Sequence, residues 1–244
     1  HYCIAEEIIG GRQCTIEGYS CGGKVTCTGL IDSIRYPRVL SFFRYQYPSR
    51  LPERIQHEME RITDRIITHV GYDNSSFNIE YFWDEVLDKV WLLEVNTRIS
   101  QSHSDIFEKV DGVSNQQLTI DLALGRRPNM PSREGAFPLA GKFFHRVFSG
   151  DARVKRAPTT EEIRAVEKDF PGTHILPQVE PGMWLSELSE QDSYSFALAY
   201  IYMGARDEET LLANYERVLK RLPFELEKID DTFARPMEES HPPA

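Results

Sequence analysis

Two acidic residues sit at a spacing that could do chemistry: Glu80 in the run FNIEYFW (77–83) and Glu94 in WLLEVNTR (91–98). At period two, Phe77, Ile79 and Tyr81 take one face of a strand and Asn78, Glu80 and Phe82 the other. In the second run the same period puts Val90, Leu92, Glu94 and Asn96 on one face and Trp91, Leu93 and Val95 on the other. The polar DEVLD between them reverses the chain, so the pair predicts an antiparallel hairpin. With the turn centred near Leu87, Glu80 falls across the ladder from Glu94.

Like charges facing each other across strands destabilise a sheet. Two carboxylates with an amide oxygen two residues further on therefore call for a positive partner. A hard divalent cation with oxygen ligands meets that need, and magnesium in particular takes one or two carboxylates and leaves its other positions to water and phosphate. Arg98, again two residues along, stands where a guanidinium could hold a phosphate oxygen. A solvated hairpin face that carries two glutamates is the competing reading, and spacing alone leaves both open.

The elements that must position these groups follow from the rest of the chain. At 244 residues it has room for one large or two modest domains. Hydrophobic content of 41% and charged content of 27% are those of an ordinary globular protein. A net charge of −10 excludes a general nucleic-acid binder, which needs a basic surplus to displace counterions. No apolar run has the length of a membrane span and no signal-like segment opens the chain, so the reading is cytoplasmic, with no membrane partner. The cysteines Cys3, Cys14, Cys21 and Cys27 form no metal-binding spacing. Cys14 and Cys27 could face each other on paired strands, but reduced thiols are the expectation in a cytosolic protein.

In chain order, residues 14–19 and 25–31 alternate as two strands around Gly22-Gly23, a two-residue hairpin signal, and Glu17 shares a face with Gln13. The segment SIRYPRVLSFFRYQYPSRLP reads as a loop over the site, with Arg35, Arg38, Arg44 and Arg50 as candidate contacts to an acidic substrate. Pro52 opens a helix that Gly71 closes, with Ile55, Met59, Ile62, Ile66 and Val70 as its buried stripe. His57 and His69 read as surface or helix-end residues. Ser114 with Gln117 predicts a capping box for a helix ending at Gly125. Beyond a boundary at Arg126-Arg127-Pro128, a strand over 139–148, a helix from Thr159 to Phe170, extended runs over 174–179 and 194–203 and a helix capped by Asp207 make a small α+β lobe. From Ile229 on, proline and acidic residues without periodicity read as a tail.

FNIEY, then WLLEVNTR, then a helix ending in DLALGRRP resemble the C-terminal half of an ATP-grasp domain, over roughly residues 3 to 130. That superfamily includes biotin carboxylase, carbamoyl phosphate synthetase and the carboxylate–amine ligases. The resemblance implies an α+β ATP-grasp fold, an antiparallel sheet flanked by helices. It gives a nucleotide- and metal-binding part over 1–129, a C-terminal α+β lobe over 130–228 and a flexible tail over 229–244. It implies ATP and Mg2+ (or Mn2+) as cofactors, held through Glu80, Glu94 and Asn96, with Arg98 assisting the transferring phosphoryl group. Glu6, Glu7, Ile8 and Ile9 match the hinge beneath adenine, and Gln13 the place of a ribose-binding glutamate.

The Gly-rich phosphate lid of the superfamily and its lysine are missing, so the chain reads as part of a longer enzyme whose N-terminal portion it needs for turnover. The Y-P-S-x-L-P ending of the 33–52 segment resembles the carboxylate–amine ligases. The expected activity is an ATP-dependent ligase that activates a carboxylate as an acyl phosphate for attack by an amine or similar nucleophile. A bicarbonate-using carboxylase is the alternative, disfavoured by Ser100 and Ser102 where biotin carboxylase binds bicarbonate; a nucleotide-binding assembly module without turnover is another. His103 keeps its place in that comparison, either as a substrate contact or proton carrier or as a cap on the helix from Ser104. The lobe could form a homodimer contact.

Overall fold

The computed structural model describes residue 3, residues 5–148, 150–188, 192 and 195–228. Ten strands and five helices succeed one another as β1 (Arg12–Cys21), β2 (Lys24–Arg35), β3 (Phe42–Tyr47), α1 (Glu53–His69), β4 (Ser75–Asp84), β5 (Lys89–Asn96), α2 (Ser104–Asp111), α3 (Asn115–Ala123), β6 (Leu139–Val147), β7 (Ala152–Arg156), α4 (Thr160–Asp169), β8 (Thr173–Pro177), β9 (Phe196–Ala205), α5 (Glu208–Leu219) and β10 (Glu225–Lys228). Eight strands form one sheet in the order β5-β4-β1-β2-β3-β6-β9-β8, every neighbouring pair antiparallel; β7 and β10 pair separately.

The sheet buries its first face under α1, α4 and α5. Ile55, Met59 and Ile67 of α1 pack on Ile16, Phe77, Ile79 and Tyr81, and Leu211, Tyr215 and Val218 of α5 pack on Phe143, Ile201 and Met203. Each such side chain contributes about 1.5–3 kcal/mol by leaving water, which is what holds alternate residues of every strand to this side. The second face is covered at one end only. There α2 and α3 lay Ile106, Phe107, Val110, Leu118 and Leu122 against Tyr19, Ile31, Tyr47 and Tyr202. Gly29 makes this approach possible, because a Cβ on it would stand 2.6 Å from the Phe107 ring and 2.7 Å from Tyr47. The part of the second face beyond α2 carries Gln13, Arg35, Phe42, Tyr45, Glu80 and Glu94, and no described helix packs over it.

Several expectations are corrected. The 33–52 segment is no loop: β3 runs through it and joins β2 to β6 inside the sheet. Its alternation was hidden because both faces of β3 carry aromatic or basic side chains, with Arg44 buried and salt-bridged to Glu208 of α5. The buried stripe of α1 turns after Met59 to Thr63 and Ile67, leaving Val70 exposed. Thr63 enters the core because its hydroxyl meets the Tyr81 hydroxyl at 2.8 Å. Ser114 accepts from the Gln117 amide, but the Gln117 side chain donates to Asp121, so only half of that box forms. Thr159 and Glu162 make a complete one. Cys14 lies opposite Asp32 and Cys27 opposite Gly18, so the two thiols do not face each other, and all four cysteines are free. Strands β7 and β10 were not anticipated. The expected tail from Ile229 lies outside the described residues.

Candidate functional site

The β4–β5 hairpin forms as its residues dictate, with one irregularity that decides the site. Glu80 pairs with Glu94 and Asn78 with Asn96, whereas Tyr81 pairs with Leu92, so Leu93 is a bulge residue without a partner. The shared face expected for Val90, Leu92, Glu94 and Asn96 is therefore broken. Val90 and Leu92 pack with the α1 core, and the bulge returns Glu94 and Asn96 to the opposite face, beside Glu80 and Asn78. An extra residue in one strand reverses the alternation beyond it.

Glu80 is half-buried and Glu94 exposed. Burial pushes the Glu80 carboxyl above the usual range, and the charge of Glu94 directly across adds to the push, against the pull of a hydrogen bond from Gln13. The Gln13 amide donates to Glu80 Oε2 at 2.8 Å and accepts from Arg35 Nη2 at 2.6 Å. The Arg35 guanidinium lies between the Phe42 and Phe82 rings, 5.5 and 5.7 Å from their centroids. Gln13 is thus buried as a spacer between a cation and Glu80. Asn96 Nδ2 donates to Glu94 at 2.9 Å, and Arg98 Nη2 lies 3.4 Å from Asn96 Oδ1. Glu80, Glu94, Asn96 and Arg98 are together.

Beneath them is a group to which spacing assigned no role. Glu17 is 1% exposed, and its Oε1 accepts from Asn78 Nδ2 at 2.8 Å and the Ser100 amide at 2.9 Å and meets His103 Nδ1 at 2.8 Å. Its Oε2 is buried without a hydrogen-bond partner among the described residues. One carboxylate oxygen thereby ties β4 to the turn that carries Arg98 and to the start of α2. Charge-assisted contacts of this kind are the stronger ones. His103 stands at the N-cap position of α2, but its side chain makes no capping hydrogen bond: it is buried and turned to Glu17. Lys142 was also missed. It sits in the apolar strand β6 with its ammonium 2.8 Å from Ser102 Oγ, and a lone lysine in AGKFF was the available signal.

The hinge candidates Glu6, Glu7 and Ile8 are exposed and Ile9 is half-buried, on a stretch outside any helix or strand that leads into β1. Arg44 and Arg50 are both bound to Glu208 and stand away from the acidic pair, while Arg38 is exposed at a turn with φ of 66°.

The donor set at Glu80, Glu94 and Asn96 is all oxygen, with two opposed carboxylates, one of them reluctant to ionise while they face each other alone. That fits a hard divalent cation. Among the described residues no group of three or more His, Cys, Asp or Glu could hold a metal. A cation here would take its remaining ligands from water and a bound phosphate, which is the habit of magnesium. Among the described residues, no helix is long and apolar enough to cross a membrane.

Residues 47–129 match the family model of the carbamoyl-phosphate synthase L chain ATP-binding domain. The whole described architecture is similar to phosphoribosylglycinamide synthetase from Anaerococcus prevotii, with a TM-score of 0.71 and 10% identity over 90% of this chain and 54% of that one. An L-amino acid ligase from Bacillus licheniformis follows at TM-score 0.67 and 18% identity, over 89% and 55% of the two chains. Biotin carboxylase from Campylobacter jejuni, solved with β,γ-ATP, gives a TM-score of 0.66 and 13% identity over 91% and 48%. The chain thus spans about half the length of these relatives, and at such identities the likeness is one of fold.

Proposed function

We propose that this chain, an ATP-grasp protein by fold and by family match, supplies the metal- and phosphate-binding half of an ATP-dependent ligase. The observation that carries the reading is the opposition of Glu80 and Glu94 on a sheet face that also bears Asn96 and Arg98. In the reaction, a carboxylate oxygen attacks the γ-phosphorus of ATP and ADP leaves. An amine or similar nucleophile then attacks the acyl carbon of the acyl phosphate, inorganic phosphate leaves, and the nucleophile loses its proton.

Glu80, Glu94 and Asn96 would hold magnesium, which when bound neutralises charge on the phosphate oxygens. Arg98 places a permanent positive charge beside the transferring phosphoryl group, where preorganised charge lowers the barrier most. Gln13 and Arg35 orient Glu80 through its Oε2. Glu17 positions Asn78 and the Arg98 turn from below, acting through other residues and not on substrate. The stretch Glu6–Ile9 serves the adenine edge through its backbone.

The test is release of ADP by the longer enzyme of which this chain is read as a part, dependent on added carboxylate and amine and on magnesium. Glu94→Gln keeps the size and the hydrogen-bonding shape but removes one of the two charges. It is expected to abolish metal-dependent turnover while leaving the circular dichroism unchanged. Turnover at the parental rate in a folded Glu94→Gln protein would exclude the metal role.

A further inference from the structure

Next to the acidic pair, the same sheet face carries a continuous floor of aromatic rings. Register places Arg35 opposite Phe42, Tyr45 opposite Lys142, and Phe144 opposite Tyr200. Ring centroids are 5.2 Å apart for Phe42 and Tyr45, 5.0 Å for Tyr45 and Phe144, and 5.4 Å for Phe144 and Tyr200. The contacts of Phe144 with Tyr45 and Tyr200 are edge-on, so the rings lock one another around the buried Phe144 while Phe42, Tyr45 and Tyr200 stay half-buried. The floor adjoins the acids: Arg35, 5.5 Å from the Phe42 centroid, donates to Gln13, and Gln13 donates to Glu80.

Cations border it. The Lys142 ammonium stands 4.2 Å from the Tyr200 centroid and 4.8 Å from that of Phe144, and its bond to Ser102 ties it to the turn that follows Arg98. Arg146 lies 5.4 Å over Phe144 and is anchored by Asp192 at 3.0 Å. Such a surface offers little to a small polar anion, whose hydrogen bonds the ring faces cannot replace. It suits a flat apolar body, which can stack or meet the rings edge-on, ending in a negative group beside a cation.

We propose that the acyl substrate is a carboxylate with an aromatic or comparably flat apolar body. It lies on the half-buried Phe42, Tyr45 and Tyr200, which the buried Phe144 braces, with its carboxylate toward the Glu80–Glu94 end. This rests on the ligase reading above and narrows it to a substrate class. A gain of about two- to twelvefold in affinity per well-made ring contact is the scale to expect.

The experiment measures binding of 3-phenylpropionate, hexanoate and bicarbonate to the protein by titration calorimetry, with magnesium and a non-hydrolysable ATP analogue present. Expected is 3-phenylpropionate at least about threefold tighter than hexanoate, with bicarbonate weakest. Tyr200→Ala should erase the preference and Tyr200→Phe, which keeps the ring, should retain it. Phe42→Ala gives a second route to the same loss should Tyr200→Ala fail to fold. Equal or tighter binding of hexanoate or bicarbonate overturns the proposal, as does a preference that survives in folded Tyr200→Ala or Phe42→Ala. Titrating the nucleotide alone separates the two ideas. Glu94-dependent binding of the Mg-nucleotide with no aromatic preference removes only the substrate class. Phenylpropionate binding with no Mg-nucleotide binding removes the ligase reading, and the acyl-substrate role with it.

Discussion

Glu17 shows how a single side chain can hold a site without entering it. Two N–H donors, from Asn78 of β4 and from the Ser100 amide after Arg98, and the His103 ring nitrogen converge on one of its oxygens, so a polar group that burial would make costly is satisfied there. The sequence offered the clue that Glu17 follows Gln13 on one face, but nothing in a period of two could say that residues 100 and 103 would fold back on it. His145 is a different case. Its ring is partly buried on β6 beside Phe224, and burial lowers its pKa from 6.5 to about 4. The unfolded chain therefore takes up a proton that the folded one refuses. Stability from this group is complete above pH 6.5 and is lost as the pH falls from 6.5 toward 4. Between pH 7.5 and 5 the loss is at most about 2 kcal/mol. Urea unfolding at the two pH values should show it in the parent and not in His145→Gln; equal losses in both would assign the effect elsewhere.

At the scale of elements, the bulge at Leu93 is the device that builds the candidate site. Strict alternation from Leu92 would point Glu94 at the α1 core, where an unpaired carboxylate could not stay ionised. With Leu93 unpaired, Glu94 meets Glu80 instead. Deleting Leu93 would leave a regular ladder in which Leu92 still faces Tyr81 and Glu94 still faces Glu80. Magnesium-dependent nucleotide binding is therefore expected to survive that deletion. Inserting one alanine between Leu92 and Leu93 moves Glu94 out of line with Glu80 and should abolish it, as a titration of both variants would report. The hairpin was legible because its turn and its apolar residues agree, whereas the bulge was not, because Leu92 and Leu93 are the same residue type and either could take the core. Strand β3 escaped for a related reason: Arg44 is a charge on a buried face, made tolerable by Glu208 more than 160 residues away, and no local pattern carries that partner.

For the molecule as a whole, sequence places a boundary near residue 129, and a change of composition at Arg126-Arg127-Pro128 does stand there. Yet the sheet crosses it. β3 pairs with β6 through Arg44–Phe143, Tyr45–Lys142, Gln46–Gly141 and Tyr47–Ala140, so strands from both sides of the boundary share one ladder. The core under α2 likewise draws Ile31 and Tyr47 from before it and Ala140 and Tyr202 from after it. Separating the parts would bare two sheet edges and split that core, and neither edge has a substitute partner among the described strands. The proposed acyl site spans the same seam, with Phe42 and Tyr45 on one side and Phe144 and Tyr200 on the other, so its geometry depends on the ladder being intact. The chain should then unfold in one cooperative transition. Trp83 and Trp91 report from β4 and β5 and Trp184 from the later part, so variants that keep one set or the other can be followed by fluorescence in urea. Coincident midpoints are expected. Midpoints that differ between Trp184→Phe and the Trp83→Phe, Trp91→Phe double variant, beyond the shift each causes in the circular dichroism transition, would show two units folding independently and would take the seam out of the argument for the site.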